Sequence, residues 1–186
     1  MRRALLIVGL ATLFTLPVVS EAQKSLSFGA SGGASVPMGD LADGADMGFS
    51  VAGHLYVKPA SQSKLGFRGD VSYDRWGAKG VGNLDGGSAS LSSMGFIANV
   101  IIHAGDDKSS MHPYLVAGGG MHRSKASVSV LGLAASATST DPAIQVGAGL
   151  EFKLSGFSTF LEGKFANVFG DGSSSRFIPI TFGVRF

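Results

Sequence analysis

Along most of this chain apolar and polar residues alternate one by one, and no other feature narrows the fold as far. Ile144-Gln145-Val146-Gly147-Ala148-Gly149-Leu150-Glu151-Phe152-Lys153-Leu154 is the clearest stretch, with apolar residues at every even position and Gln, Gly, Gly, Glu and Lys at the odd ones. A helix would scatter these residues around its axis; a strand sorts them onto two opposite faces. The same template fits seven further segments: 26–36, 49–58, 65–76, 91–103, 113–123, 157–169 and 176–186. In the second of them Phe49, Val51, Leu55 and Val57 oppose Ser50, His54, Tyr56 and Lys58; in the third Leu65, Phe67, Val71 and Tyr73 oppose Arg68, Asp70, Ser72 and Asp74. Turn-forming residues separate them, as at Pro59-Ala60-Ser61-Gln62-Ser63, Gly105-Asp106-Asp107-Lys108, Ser155-Gly156 and Gly170-Asp171-Gly172-Ser173. Such links are too short for crossover helices, so successive strands are expected to pair antiparallel as a meander.

The N-terminus follows a different rule. Arg2 and Arg3 precede an apolar run over 5–16, Pro17 ends it, and Ser20-Glu21-Ala22 places small residues before Gln23. This is the pattern of a secretory signal peptide cleaved between Ala22 and Gln23. The competing reading is a membrane anchor, but the uncharged run 4–20 is marginal for a helical span of about 20 residues. The sequence therefore divides into a signal peptide, 1–22, and one exported domain, 23–186.

Composition closes off several classes of function. The chain has no Cys, which excludes disulfide scaffolds, thiol catalysis and Cys-ligated zinc. Its net charge of +2 leaves no footprint for nucleic acid. Charged residues are 15% of the total against about 25% in ordinary soluble domains, while the apolar fraction is 45%.

Alternation alone does not say whether the apolar face points into a soluble barrel or out into lipid. Four observations choose the second. The strands run longer than the roughly 5–6 residues usual in soluble sheets and suit a tilted membrane crossing of about 9–11. The polar face carries Arg68, Lys153, Lys164 and Arg185 against Asp70, Asp74, Glu151 and Glu162, a balance suited to a closed lumen where charges must pair. Glycines on both faces allow tight curvature. The chain ends on an alternating strand, Thr181-Phe182-Gly183-Val184-Arg185-Phe186, whose last residue is aromatic. The reading is all-β: an eight-stranded antiparallel up-and-down transmembrane β-barrel, preceded by a cleavable signal peptide.

The last strand resembles the C-terminal sorting signal of Gram-negative outer-membrane barrels. Pro113-Tyr114-Leu115-Val116-Ala117-Gly118-Gly119-Gly120 and Val146-Gly147-Ala148-Gly149-Leu150-Glu151-Phe152 are similar to the fifth and sixth strands of the outer-membrane protein β-barrel domain, the family of OmpA, OmpX and Ail-type barrels. The resemblance covers essentially the whole mature chain. It implies an outer-membrane location, contact with outer-membrane lipid and lipopolysaccharide, and recognition of Phe182, Val184 and Phe186 by the barrel assembly machinery. With both ends periplasmic, the connections 37–46, 77–88, 125–141 and 170–175 are expected outside, and 59–63, 104–112 and 155–156 in the periplasm. Phe49, Tyr73 and Phe169 then fall in an outer aromatic girdle, and Phe28, Phe67, Phe152 and Phe186 in an inner one. Tyr73 and Trp76 read as interface anchors. No periplasmic domain is expected after the last strand.

The candidate chemistry is sparse. The ionic lumen residues Arg68, Asp70, Asp74, Glu151, Lys153, Glu162, Lys164 and Arg185 are expected to form a plug of salt bridges, with a narrow conducting pore as the alternative. His122-Arg123-Ser124 resembles the His-x-Ser arrangement of lipid A deacylase barrels. No Asn follows Ser124, however, and no Glu comes soon after it to orient the His, so no catalytic residue is expected. Asp40, Asp43 and Asp46 lack the alternating spacing of a calcium loop and read as a solvated outer loop. Gly118 to Gly120 lie within a strand rather than before a helix, and His54, His103 and His112 have no ligand spacing, so no metal or cofactor is expected. The segment 125–141 is uncharged over 127–140 and has two open readings: a hairpin prolonged above the membrane, able to pair with a partner's strand, or a mobile loop. The function expected is structural or surface interaction through the outer loops, ahead of a small porin and a lipid A-modifying enzyme.

Overall fold

The structure is a computed structural model that describes residues 26–59, 64–79, 88–104, 109–130, 133–170 and 172–186. The signal segment 1–22, the Ala22–Gln23 cleavage point and the turns over 60–63, 80–87 and 105–108 lie outside the described residues. Eight strands follow in order: β1 (Leu26–Met38), β2 (Gly48–Val57), β3 (Leu65–Gly77), β4 (Ser88–His103), β5 (Met111–Val130), β6 (Leu133–Lys153), β7 (Ser158–Gly170) and β8 (Ser173–Arg185). Each pairs antiparallel with its sequence neighbours, and β1 pairs with β8, so the sheet is a closed up-and-down barrel. The closing seam reaches the last residue: Phe28 N–H donates to Phe186 O at 3.1 Å and Phe186 N–H to Phe28 O at 2.8 Å.

The barrel is inverted relative to a soluble one. Leu150, Phe152 and Leu161 face outward, whereas Glu151, between the first two, is 3% exposed. The same alternation holds along β3, where Gly66, Arg68 and Asp70 are buried and Leu65, Phe67 and Val71 exposed. Phe28, Phe49, Phe67, Phe152, Phe169 and Phe186 are all exposed on the outer wall, and Tyr73 lies half-buried with its ring centroid 6.1 Å from that of Phe49. Phe182 of β8 and Phe186 just past its end are exposed, with Val184 half-buried between them.

Four local features settle or correct what the sequence left open. β5 and β6 run to 20 and 21 residues, because the small Ser, Ala, Thr and Val side chains of 124–139 keep pairing from Ser124↔Ser139 to Val130↔Leu133. The 125–141 connection is therefore a prolonged hairpin, its residues 131–132 lying outside the described set. The expected 170–175 connection shrinks to a tight turn closed by the Gly170↔Ser173 pair, with Gly172 at φ 81°. The acidic connection after β1 is folded: α1 (Asp40–Gly44) follows Gly39 at φ 56°. It is tied to the end of β3 by Asp46 N–H to Gly77 O at 2.9 Å and Lys79 N–H to Gly44 O at 2.9 Å. Lys79 Nζ also donates to Ala42 O at 2.5 Å. Asp40, Asp43 and Asp46 stay exposed while Ala45 is buried.

The fourth concerns Trp76. It is not an interface anchor: it is 3% exposed, and its ring meets Phe177 edge-on at 5.0 Å inside the barrel. Its parity decides this, since Trp76 shares the inward face of β3 with Arg68, Asp70 and Asp74.

Candidate functional site in the barrel interior

Four inward positions on two distant strands supply a charge-balanced centre. Arg68 of β3 donates to Glu162 of β7 through Nη1 at 2.6 Å and Nη2 at 2.9 Å, a bidentate fork. Its Nε lies 2.8 Å from Asp70 Oδ1, and Lys164 Nζ lies 3.2 Å from Glu162 Oε1 and 3.4 Å from Asp70 Oδ2. Two cations and two carboxylates thus cancel across the lumen. Neutral groups from other strands complete the layer. Tyr114 O–H donates to Glu162 Oε2 at 2.8 Å, Asn99 Nδ2 to Asp70 Oδ2 at 3.0 Å, and Gln145 Nε2 to Asn99 Oδ1 at 2.6 Å. His54 Nδ1 is 2.8 Å from Asp70 Oδ1 and its Nε2 2.8 Å from Ser31 Oγ. Seven of the eight strands contribute, so the layer crosses the whole bore.

A smaller polar group closes the end that carries the chain terminus. Arg185 Nη2 donates to Glu151 Oε1 at 2.6 Å, and its guanidinium sits 5.0 Å from the Tyr56 ring centroid. His103 Nε2 is 3.4 Å from Glu151 Oε2. Lys153, expected in this lumen set, is exposed instead, with Nζ 3.4 Å from His112 Nε2. It is the last residue of β6, where its flexible stem is no longer enclosed by the ring of strands.

Above the central layer the lining changes character. Asp74 is buried with no ion pair among the described residues. Ser50 and Ser35 are the hydroxyls beside it. His122 Nδ1 lies 2.8 Å from Ser93 Oγ, which is 3.3 Å from Ser124 Oγ. Ser93 therefore stands between the two residues that sequence reasoning paired, and no carboxylate bonds His122 among the described residues. The imidazole fits only because Gly95 faces it: a Cβ there would come within 2.6 Å of the ring. Trp76, Phe177, Ile97, Ala143, Ala166 and Val168 then close the outer bore as an apolar cluster, with Leu41 of α1 and Leu91 packed on it.

Sequence reasoning missed the neutral half of the central layer, Tyr114, Asn99 and Gln145, and the inward aromatics Phe160 and Phe177. The signal was available in parity: Phe160 shares a face with Glu162 and Lys164.

Comparison of the coordinates with known structures decides the fold. Neisserial surface protein A matches with a TM-score of 0.61 at 20% identity, over 86% of this chain and 95% of that one. Ail, the attachment invasion locus protein of Yersinia pestis, gives 0.59 at 17% identity, over 87% and 99%. A major outer membrane protein from Thermus thermophilus gives 0.61 at 13%, over 87% and 98%. This chain has the fold of the small outer-membrane barrels. No protein-family model and no curated protein sequence matches it. At these identities the likeness speaks for the barrel and its eight-strand meander, and for nothing finer.

Proposed function

We propose that the chain is an integral outer-membrane barrel with a structural and surface-interaction role, its interior plugged and its outer hairpin the contact element. The inverted wall carries this reading: an apolar surface with exposed aromatics outside, and ionic groups buried at the axis. Outer-membrane lipid and lipopolysaccharide are the partners of that wall. The barrel assembly machinery is the partner of the strand bearing Phe182, Val184 and Phe186 during biogenesis. The contact element is the extension of β5 and β6: β6 pairs with β7 only from Ala143 onward, so Leu133–Pro142 has an open edge on which an extracellular partner's strand can add. Attachment, the property in the name of the Yersinia protein, is the kind of role such an edge supports.

No chemistry of its own is assigned to the barrel, since His122 has a serine rather than a carboxylate at Nδ1. The absence of native Cys makes the topology directly testable. In intact cells a membrane-impermeant maleimide is expected to label Ser136→Cys at the outer hairpin, and to label Ser155→Cys in the β6–β7 turn only after permeabilisation. The reverse pattern, or recovery of the protein in buffer rather than in the membrane, would overturn the proposal.

A further inference from the structure

By the alternation of each strand, the charged residues on outward positions of the described strands are Arg75 of β3, Arg123 and Lys125 of β5 and Arg176 of β8. All are cations, all are exposed, and all lie in the outer halves of their strands. The strand carboxylates Asp70, Asp74, Asp141, Glu151 and Glu162 take inward positions. Arg176 donates to Asn167 of β7 at 3.2 Å. Arg75, Arg123 and Lys125 take part in no ion pair among the described residues.

These last three share one patch. Arg75 and Lys125 are both register partners of Ser92, which lies between them on β4, and Arg123 is in the row below with Met94 and Tyr73. At a strand spacing of about 4.8 Å the backbones of Arg75 and Lys125 are about 10 Å apart, so two long side chains can meet over one group. A groove of about 320 Å³ lies beside them, lined by Arg75, Lys125, Ser90, Ser127, Ser129 and Ser136, and no carboxylate is in its lining. The acid tied to this rim by backbone pairing is Asp46, whose N–H donates to Gly77 O, two residues past Arg75; it is outside the groove lining. Below the cations the exposed side chains of Phe49, Met94, Phe96 and Met121 continue the apolar wall.

A guanidinium and an ammonium beside several hydroxyls suit a tetrahedral oxyanion, because the planar fork and the serines offer donors from several directions. Position selects the source of that anion. The patch stands on the lipid-facing wall, directly above its apolar band, at the height where lipid headgroups meet water. We propose that Arg75, Lys125 and the serine groove seat a phosphate on the sugar headgroup of an outer-leaflet glycolipid, with the acyl chains lying along Met94, Phe96 and Met121. Arg123 meets a second anionic group from below. The site deepens the outer-membrane reading given above and rests on it.

The folded barrel in zwitterionic detergent micelles is mixed with diphosphoryl lipid A, or with lipid A stripped of both phosphates, and the lipid retained is counted by native mass spectrometry. Retention of the diphosphoryl form is expected at a concentration at least about tenfold lower, the size of one charge-assisted hydrogen bond. Arg75→Gln combined with Lys125→Gln should erase that preference, whereas Arg176→Gln, on β8, should keep it. Equal retention of the two lipids by the wild type overturns the proposal. So does a preference that survives the double substitution, or one that falls equally in Arg176→Gln and so follows net charge alone. Glucosamine 6-phosphate that displaces the lipid at a matching concentration would overturn the lipid source in favour of a soluble sugar phosphate. The heat-modifiable band shows whether each variant is folded, and if the double variant is not, the wild-type comparison decides alone. Because the barrel is purified, a reversed maleimide pattern in cells with the preference intact overturns the location and not the phosphate seat.

Discussion

Glu162 accepts from both arms of the Arg68 fork, from Tyr114, and faces Lys164, all in a part of the barrel with almost no solvent. Neutralising it by Glu162→Gln strands one positive charge among groups that have already given up their water. The expected cost is about 3–5 kcal/mol, as for other buried pairs broken from one side, read as a lower urea midpoint for loss of the heat-modifiable folded band. Lys153→Ala supplies the contrast. Lys153 is exposed at the end of β6, so stability should change by no more than about 0.5 kcal/mol. Equal losses in the two variants would contradict the placement of both. At this scale charge was legible in the sequence for every expected lumen residue but Lys153, because an ionised side chain in the middle of an alternating strand has one sensible destination and one at the strand's end has two. Trp76 was not: its residue type argues for a membrane interface and its parity for the lumen, and packing against Phe177 under Leu41 settles the contest in favour of parity.

Along a strand, alternation is the whole specification. A register slip of one residue would turn every apolar side chain of β6 inward and Glu151 outward, so the two faces lock the pairing. Leu150 sits on the outer face of β6, opposite Leu161 of β7. Leu150→Arg is therefore expected to cost about 2–4 kcal/mol if this level lies near the bilayer midplane, while the neighbouring Ala148→Ser, on the same face, should be mild. Folding yields into lipid vesicles measure both, and wild-type behaviour of Leu150→Arg would contradict the lipid-facing wall. The eight strands were recognisable because each has this repeat. Their ends were less so: beyond Ser124 the repeat of β5 and β6 continues on small residues, mostly Ser, Ala, Thr and Val, a composition that serves a strand or a loop equally. What extends them is pairing with each other, which no single segment reveals. The same holds for α1, whose five residues have no helical period to detect and which is held by backbone bonds to Gly77 and Lys79.

Across the whole molecule the bore is obstructed by different chemistry at successive levels. Eight strands enclose a space that side chains nearly fill. The Glu151–Arg185 pair narrows one end, the Arg68–Glu162–Asp70–Lys164 layer spans the middle, and Trp76 with Phe177 under α1 closes the other end. Obstacles in series have a consequence that a single gate does not: removing one leaves the others shut. Wild-type protein in a planar bilayer is thus expected to show no steady conductance, and Trp76→Ala, which removes the largest outer side chain, should stay equally silent because the ionic layer lies beneath it. Lys164→Gln should likewise open nothing on its own, since the Arg68 fork to Glu162 remains. A stable ohmic step in the wild type, or one that changes with Lys164→Gln, would mean that ions thread past the fork, and the interior would then be a narrow pore.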